Sequence, residues 1–500
     1  MGDNRLGSYD SRGWGPLDTN KVLIHGKIKF RIWSLDTNYG WPIFDLLKHP
    51  IDFWSRVRWR RCLNTLSYKD LQGRPKIQVT PEKALLDVPV QITISNLAAH
   101  EQVTIEAYLK VKDDLILSSH AAFEADKNGR VNVTSQAPNS GSYHGIDPMG
   151  LFWSMTPTDK TITTMPLNKE EVVLNVFSKN KLLTQKKIYR LHVSPDVEKK
   201  EIREQGIVGT LFYPKNMKSG PGIIVVTGSS GGIPITISQL LASHGYTVLA
   251  LAYFQTEGLP DKLENIPLEY FQNALLWFKK QPQVDRTRIA LWGISYGGEL
   301  VLLLGSMFPE KMSAIVAYVP SSYVYGGIPE FNKPAWTYKN QPISFMPSPT
   351  TEEILNAVKE GKVPFHKGTV EDPHEPALLY LYGLQKFSES IEKSTIPVEN
   401  IRCPILIFSG EDDKMWPSTL YGNRIMERLD QKRSTIERKH IHFPSAGHYF
   451  EIPYAPSICQ PYYHPVVKFW CAMGGTAKGN ARASSQSWQE ALSFLKENLL

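Results

Sequence analysis

The pattern of apolar and polar positions changes near residue 200. Between about Lys76 and Val197, short alternating stretches such as VPVQITISNL and EQVTIEAYLK are separated by Asn, Gly, Pro and Asp. This alternation predicts a small all-β, immunoglobulin-like sandwich. From about Gly206, apolar runs such as GIIVVTG and PILIFSGEDD alternate with PLEYFQNALLWFKKQ and PSTLYGNRIMERLDQK, which have helical spacing. Repeated β-α-β order predicts an α/β domain with a doubly wound, mostly parallel sheet.

Three segments follow from these patterns. Residues 71–200 are predicted to form the β-sandwich domain and residues 201–500 the α/β domain, while residues 1–70 form an unassigned extension. Within the extension, WSRVRWRR (54–61) interleaves aromatic residues with arginines. An interfacial or acidic-partner helix is one interpretation of that stretch, and a solvated extension or docking arm is the other.

Composition narrows the classes of partner. The 500 residues are 42% hydrophobic and 21% charged, which suits two or three domains with their own cores. The formal charge of +7 is spread along the chain among 49 acids, so no basic tract indicates a nucleic-acid partner. No uninterrupted apolar stretch reaches the roughly 18 residues of a membrane helix, so no membrane span is expected. The oligomeric state is left open.

The four cysteines, Cys62, Cys403, Cys459 and Cys471, lack zinc-site spacing and are too few for a disulfide framework. They predict buried thiols in a reducing compartment. The amino-terminal MGDNRLGSYDSRGWG has no apolar core of the kind that a secretory signal needs. A cytoplasmic location is therefore expected, with mitochondria as the alternative.

The stretch LWGISYGGEL (291–300) matches G-x-S-x-G through Gly293, Ser295 and Gly297. It lies where a predicted strand ends and a predicted helix begins. A sharp turn at this point lifts the serine hydroxyl to the amino end of the helix, where the dipole favours a developing anion. Ser295 is thus predicted to be the nucleophile of an α/β-hydrolase domain, and a turn serine chosen for tight packing is the alternative.

A nucleophilic serine needs a base that is oriented by a carboxylate, in the chain order Ser, acid, His. The apolar run ILIFSG ends in Glu411, Asp412 and Asp413, where a doubly wound sheet presents side chains at its carboxyl edge. Asp413 is predicted to be the acid and Asp412 is the alternative. A purely structural alternative is that both acids cap the next helix.

His448 is predicted to be the base, because HFPSAGHYFEIPY has the composition of a loop that follows the last strand. His440 and His442 lie in or beside that strand, and His464 lies beyond the loop. These three histidines are therefore less able to reach Ser295.

The tetrahedral intermediate of acyl transfer also needs amide donors. The small-residue loop VVTGSSGGIP (225–234) follows the first hydrolase strand. The backbone amides of Tyr296 and of Ser229 or Ser230 are predicted to supply these donors. A phosphate cradle is the alternative for this loop, but the GK[ST] ending is absent. Serine-based chemistry of this kind calls for no cofactor and no metal.

With these residues in place, the chain resembles the type I acyl-CoA thioesterases and the related bile acid-CoA:amino acid N-acyltransferase, from about Arg74 to the carboxyl end. The resemblance is carried by PKIQVTPEKALLDVPVQITISNL, GSYHGIDPMGLFWSMTP, EQGIVGTLFYP, ASHGYTVLALAYF, AGHYFEIPY and SWQEALSFLKENL. It implies an all-β amino-terminal domain before an α/β-hydrolase domain, with a triad at the positions of Ser295, Asp413 and His448. The chain has Ser295 where the conjugating transferase has cysteine as its nucleophile. It also carries Tyr296 where vertebrate members of the family usually have lysine.

The resemblance implies an acyl-CoA thioesterase of fatty acid metabolism that hydrolyses fatty acyl-CoA through an acyl-Ser295 intermediate. An N-acyltransferase that conjugates glycine or taurine is the first alternative. A prolyl-oligopeptidase-like serine hydrolase, indicated by GISYGG, and a non-catalytic acyl-CoA-binding protein are weaker alternatives.

Overall fold

The computed structural model describes residues 73–111, 116–157, 171–457 and 461–500. The predicted extension over residues 1–70, including WSRVRWRR, lies outside the described residues, as do Cys62 and Cys459. The described residues form two compact units. The smaller unit comprises residues 73–77, Ile94–Glu101 and Glu124–Val131, and the larger unit comprises the other described residues.

The smaller unit contains a tight turn around Asp126. The Asp126 carboxylate accepts the backbone N–H groups of Asn128 and Arg130 at 2.8 and 2.9 Å. Gly129 has a φ of +70°, and a Cβ on it would lie 2.0 Å from the Leu97 carbonyl oxygen. Glycine is required here by both the backbone conformation and the close approach.

The chain before residue 192 is β-rich in its described part, as predicted. Its strands are β1 Lys76–Thr80, β2 Lys83–Leu85, β3 Gln91–Ser95, β4 Gln102–Lys110, β5 Ile116–Glu124, β6 Val131–Asn132, β7 Ser140–Gly141, β8 Thr156–Pro157, β9 Glu171–Ser178 and β10 Lys181–Leu191. One sheet has the order β2-β10-β9-β4-β5-β7, and β8 pairs with β5. Burial alternates along β4, because successive strand residues face opposite sides of the sheet.

The segment DPMGLFWSM forms the short helix α1, Gly150–Trp153. The Asp147 carboxylate accepts the Met149 N–H at 2.9 Å and the indole N–H of Trp153 at 2.8 Å. Gly150 packs directly against the ring of Tyr143, since a Cβ on Gly150 would lie 2.4 Å from ring carbons. Asp147 therefore fixes the start of this turn, and the glycine lets it pack on an aromatic ring.

The α/β region contains the strands β11 Val197–Glu204, β12 Ile207–Pro214, β13 Gly220–Val226, β14 Thr247–Ala252, β15 Ile266–Pro267, β16 Val284–Ile294, β17 Ala314–Tyr318, β18 Trp336–Tyr338, β19 Gln341–Pro342, β20 Ile405–Gly410, β21 Arg438–Phe443, β22 Tyr462–Tyr463 and β23 Trp470–Cys471. Eight of them form one sheet of described residues, with the order β11-β12-β14-β13-β16-β17-β20-β21. β12 is antiparallel to β11 and β14, and the other neighbours are parallel. This is an α/β-hydrolase sheet, so the predicted fold class is confirmed.

Helices cover both faces of this sheet. The helices after α1 are α2 Ile235–Ser243, α3 Leu268–Phe278, α4 Tyr296–Met307, α5 Thr351–Lys359, α6 Pro376–Lys386, α7 Ile391–Ser394, α8 Ser418–Gln431 and α9 Ala477–Leu499. Ile224 and Val226 of β13 pack in the same core as α3, α4 and α8, whereas Ile223 and Val225 pack with α2 and α9. Both faces are therefore apolar, as the continuous hydrophobic strands predicted.

The two segments with helical spacing form α3 and α8, which confirms those predictions. α5 begins with a capping box, in which Thr350 Oγ1 accepts the Glu353 N–H and the Glu353 carboxylate accepts the Thr350 N–H. Among the described residues, none of the helices combines the length and apolarity needed to cross a bilayer.

Buried indoles join distant parts of the larger unit. The Trp488 indole of α9 donates to Asp87 Oδ2 at 2.9 Å, and His244 Nε2 hydrogen-bonds the same oxygen. The Trp292 indole of β16 donates to Glu451 at 2.6 Å and lies 6.1 Å from the Trp488 ring. Residues near the start and the end of the described chain therefore share one polar cluster inside an apolar core.

Candidate active site

Ser295 occupies the turn between β16 and α4. Its φ of 58° and ψ of −123° place it in a conformation that L-residues rarely adopt. A Cβ on Gly293 would lie 2.1 Å from the Gly297 carbonyl oxygen, and a Cβ on Gly297 would lie 2.4 Å from that of Thr227. The two glycines therefore permit the backbone crossing that holds Ser295 at the carboxyl edge of the sheet.

The structure brings together the three predicted side chains Ser295, His448 and Asp413. Ser295 Oγ lies 2.9 Å from His448 Nε2, and His448 Nδ1 lies 2.8 Å from Asp413 Oδ2. Asp413 Oδ1 accepts the N–H groups of Met415 at 2.9 Å and Trp416 at 3.2 Å. Asp413 thus accepts the Nδ1 proton of His448, which leaves Nε2 free to accept the proton of Ser295.

The two neighbouring aspartates face different partners. Asp412 Oδ2 accepts the Gly475 N–H at 2.9 Å, and Asp412 Oδ1 forms an ion pair with Lys414 at 3.3 Å. The Asp413 side chain is 1% exposed, whereas that of Asp412 is 45% exposed. The geometry therefore favours Asp413 over its neighbour as the partner of His448.

The other candidate histidines divide into two groups. His440 and His442 lie in β21, where they hydrogen-bond Ser409 Oγ at 2.7 Å and Glu411 at 2.6 Å. Burial, followed by the nearby His442, lowers the pKa of His440 to about 4. Neither side chain lines the cavity at Ser295. His464, by contrast, lies at that cavity.

The predicted amide donors are also partly brought together. α4 begins at Tyr296, so the Tyr296 N–H has no acceptor within the helix and is available at its amino end. Ser229 lines the same cavity as Ser295 and Tyr296. Ser230 is exposed, and its hydroxyl hydrogen-bonds Tyr462 at 2.9 Å. Of the two serines predicted, Ser229 is the one at the cavity.

His464 is a residue of the site that its position in the sequence did not predict. It is 3% exposed, and its Nε2 lies 2.9 Å from Ser229 Oγ. Burial, followed by the nearby His448 and Lys468, lowers the pKa of His464 to about 4. Its chain position beyond the loop gave no sign of this contact, because 235 residues separate it from Ser229.

A cavity of about 380 Å³ opens beside Ser295. Its lining is predominantly apolar and comes from α5, α6 and the loops beside them, including Ile354, Leu355, Val358, Val363, Phe365, Leu378, Leu379, Val467 and Phe469. Tyr296 stacks on Trp416 with the ring centres 5.3 Å apart, and Trp416 meets the His448 ring edge-on at 6.0 Å. Such a cavity suits an apolar chain whose reactive end reaches Ser295.

Glu299, four residues after Ser295, is a second polar residue beside the nucleophile turn that no sequence pattern predicted. It is fully buried, and its carboxyl group accepts the Trp336 indole N–H at 2.9 Å and the Tyr325 N–H at 3.3 Å. Burial raises the pKa of Glu299 to about 8 despite these two donors. Glu299 is thus held largely as the neutral acid at pH 7.

In the part of the chain that the structure describes, no group of three or more His, Cys, Asp or Glu side chains is arranged to hold a metal ion. Cys403 and Cys471 are buried and unpaired, as predicted for these two thiols.

Comparison with known proteins identifies the family. Residues 87–204 match the family described as "Acyl-CoA thioester hydrolase/BAAT N-terminal region", and residues 266–500 match "BAAT / Acyl-CoA thioester hydrolase C terminal". The chain is 30% identical over 459 residues to "Acyl-coenzyme A thioesterase 2, mitochondrial" of Mus musculus, and the alignment covers 90% of this chain and 93% of that protein. The chain belongs to the acyl-CoA thioesterase and bile acid-CoA:amino acid N-acyltransferase family. The family predicted from the sequence is therefore confirmed.

Relatives in this thioesterase and N-acyltransferase family carry two kinds of name. The chain is 30% identical over 421 residues to "Acyl-coenzyme A thioesterase 1" of Homo sapiens, covering 83% of this chain and 94% of that protein. It is 29% identical over 437 residues to "Acyl-coenzyme A amino acid N-acyltransferase 2" of Mus musculus, covering 84% and 97%. Overall sequence identity to these relatives therefore does not decide between a thioesterase and an N-acyltransferase.

Proposed function

We propose that this chain is an acyl-CoA thioesterase, which hydrolyses fatty acyl-CoA to a free fatty acid and CoA. The observation that carries the proposal is the line of hydrogen bonds from Asp413 through His448 to Ser295 beside a predominantly apolar cavity. The apolar walls suit the acyl chain, and in this proposal the thioester carbonyl at the head of that chain lies beside Ser295. The proposed chemistry uses side chains, backbone amides and water.

The first half of the proposed reaction forms an acyl-enzyme. Ser295 Oγ attacks the thioester carbonyl carbon while His448 Nε2 takes the hydroxyl proton. The resulting oxyanion accepts hydrogen bonds from the backbone amides of Tyr296 and Ser229. The carbon–sulfur bond then breaks, His448 returns the proton to the CoA sulfur, and Asp413 stabilises the transient imidazolium throughout.

The second half regenerates the enzyme. A water molecule attacks the acyl-Ser295 carbonyl carbon and gives its proton to His448. The carbon–oxygen bond to Ser295 breaks, and His448 returns that proton to Ser295 Oγ. The fatty acid leaves, so each cycle consumes one water and releases one CoA thiol.

An N-acyltransferase is the second candidate, because relatives with that name match this chain almost as well as the thioesterases do. In that reaction the amine of glycine or taurine would replace water in the second half. An oxygen ester at Ser295 is less reactive toward amines than the thioester that a cysteine would form. This difference favours hydrolysis.

The proposal is tested by thiol release from acyl-CoAs of increasing chain length, with the products identified by mass spectrometry. We expect turnover by the wild type, mainly to free acid even with millimolar glycine or taurine. Ser295→Ala and His448→Ala should abolish turnover while the far-ultraviolet circular dichroism stays unchanged, because both residues lie in loops at the sheet edge. Turnover near the wild-type rate in either variant would overturn the proposal, and mainly N-acyl amino acid would support the transferase instead.

The domain boundary near residue 200 and the compartment are further proposals. The change of sheet between β10 and β11 supports the boundary, which limited proteolysis would test. The buried, unpaired Cys403 and Cys471 support a reducing compartment, either the cytosol or mitochondria. Microscopy of the tagged chain would distinguish these two locations.

A further inference from the structure

The side chains of Ser229 and His464 form a pair that has no role in the proposed reaction. Ser229 follows β13 in the loop that adjoins the nucleophile, and a Cβ on the preceding Gly228 would lie only 2.9 Å from Ser295 Cβ. Ser229, His464, Ser295 and His448 line the same cavity. The Ser229 side chain and the atom that attacks the substrate therefore lie at the same cavity.

The partners of His464 determine which of its ring nitrogens carries the proton. Nδ1 faces the backbone N–H groups of Val466 at 3.2 Å and Val467 at 3.4 Å. Two donors directed at one nitrogen require that nitrogen to be the acceptor. The neutral ring therefore carries its proton on Nε2, the nitrogen that lies 2.9 Å from Ser229 Oγ.

This tautomer determines whether the Ser229 hydroxyl is the donor or the acceptor in its hydrogen bond with His464. His464 Nε2–H donates to Ser229 Oγ, so the hydroxyl proton of Ser229 must be directed elsewhere. Among the described residues, Ser229 Oγ forms no other hydrogen bond to a side chain or a carbonyl. The remaining direction for this proton is the cavity beside Ser295.

Building on the proposed hydrolase function, we propose that the Ser229 hydroxyl donates a hydrogen bond to the oxyanion of the tetrahedral intermediate, and that His464 is the positioning residue that holds this hydroxyl as a donor. No proton is transferred along this pair. The hydroxyl supplements the backbone amides of Tyr296 and Ser229 as the negative charge develops on the substrate oxygen. A neutral His464 is essential, because a proton on Nδ1 would oppose the two backbone donors.

The experiment compares variants of the full chain. Ser229→Ala removes the hydroxyl but keeps the backbone amide, and Ser229→Thr keeps both. We expect Ser229→Ala to lower kcat about 10²-fold, the lower end of the range for loss of one oxyanion donor, with little change in KM. Ser229→Thr should recover most of the activity. A kcat within about threefold of the wild type for Ser229→Ala would overturn the proposal.

A double-mutant cycle tests the positioning residue. His464→Leu removes the donor, whereas the side-chain amide of His464→Gln can still donate near the position of Nε2. We expect His464→Gln to retain more activity than His464→Leu. The double variant Ser229→Ala with His464→Leu should be no slower than Ser229→Ala alone, because His464 acts through Ser229. Additive losses would assign His464 a separate structural role and overturn this part of the proposal.

Two substrates separate this inference from the proposed function. Each variant is assayed with an acyl-CoA and with p-nitrophenyl acetate, whose tetrahedral oxyanion would occupy the same place. If the wild type cleaves only the ester, the thioesterase function fails, and the ester series still tests Ser229. If Ser229→Ala leaves both reactions unchanged while Ser295→Ala abolishes both, the inference fails and the hydrolase function stands.

Discussion

Replacing Glu299 by glutamine should make the stability of this protein less sensitive to pH. Glutamine has nearly the same shape, and its Oε1 can still accept the N–H groups of Trp336 and Tyr325, as Oε1 of Glu299 does. Glutamine cannot ionise, however. The substitution therefore removes a titrating group from a fully buried position while leaving its packing in place.

The size and sign of the effect follow from the pKa of Glu299, which burial raises from an ordinary value of 4.5 to about 8 in the folded protein. Between these pH values the unfolded chain has released a proton that the folded chain retains. The free energy of unfolding must therefore fall as pH rises across this interval, by at most about 1.4 kcal/mol per pH unit. From pH 5 to pH 7 the loss is on the order of 2 to 3 kcal/mol, and it should be absent in Glu299→Gln.

The assay is urea unfolding of wild type and Glu299→Gln at intervals from pH 5 to pH 9, with the free energy of unfolding obtained by linear extrapolation. Other buried groups also titrate. Burial raises the pKa of Glu451 to about 7 and lowers those of His440 and His464 to about 4. These groups are present in both proteins, so the difference between the two curves isolates Glu299.

Glu451→Gln is the matched control, because it removes a second buried carboxyl group whose pKa is raised less. The difference in free energy of unfolding between Glu451→Gln and the wild type should have the same sign as for Glu299→Gln. It should stop growing about one pH unit lower than the difference for Glu299→Gln does. Parallel curves for wild type and Glu299→Gln would refute the reasoning. They would mean that the donors Trp336 and Tyr325 stabilise the carboxylate enough to keep Glu299 ionised in the folded state.

Three further predictions concern the reaction and the nucleophile turn. Asp413→Asn should lower kcat on the order of 10⁴-fold, as loss of an orienting carboxylate does in a serine triad. In the same thiol-release assay, Asp412→Asn should have a kcat close to that of the wild type. A larger loss of kcat in Asp412→Asn would identify Asp412 as the acid instead. Ser295→Cys, given a long-chain acyl-CoA and glycine, should shift the products measured by mass spectrometry toward the amide, and an unchanged ratio would mean that access to the cavity determines the acceptor. Gly297→Ala should reduce both kcat and the melting temperature, because its Cβ would lie 2.4 Å from the Thr227 carbonyl oxygen; an active variant with wild-type melting would show that the turn can move aside.

The sheet and the nucleophile turn could be predicted because their determinants are local. β13, β14, β17 and β20 are entirely buried, so each is a continuous apolar run in the sequence. The glycines around Ser295 are likewise adjacent to it in the chain. The chain order Ser, acid, His then limits the candidates for the acid and the base to a few residues in the last third of the sequence.

The remaining parts of the site depend on loop packing, which a local pattern does not contain. Asp412 and Asp413 are chemically identical neighbours, and only the fold directs one to Gly475 and the other to His448. The contact of His464 with Ser229 joins loops from opposite ends of the α/β region. The walls of the cavity come from α5 and α6, whose apolar residues are indistinguishable in sequence from ordinary core residues.

The hydrogen bond between Trp488 and Asp87 spans 401 positions of the chain. Trp488 belongs to the last helix, so this contact can form only after almost the whole chain has left the ribosome. Until then the Asp87 carboxylate lacks its indole donor and the Trp292 ring lacks its contact with the Trp488 ring. Closing so long a loop is entropically costly and slow. The apolar surface that α9 covers in the folded protein stays exposed until α9 has been made, and exposed apolar surface promotes aggregation. A premature stop shortly before Trp488 would therefore keep every proposed catalytic residue in the chain but leave the core residues that α9 covers exposed, and we expect such a chain to aggregate or be degraded.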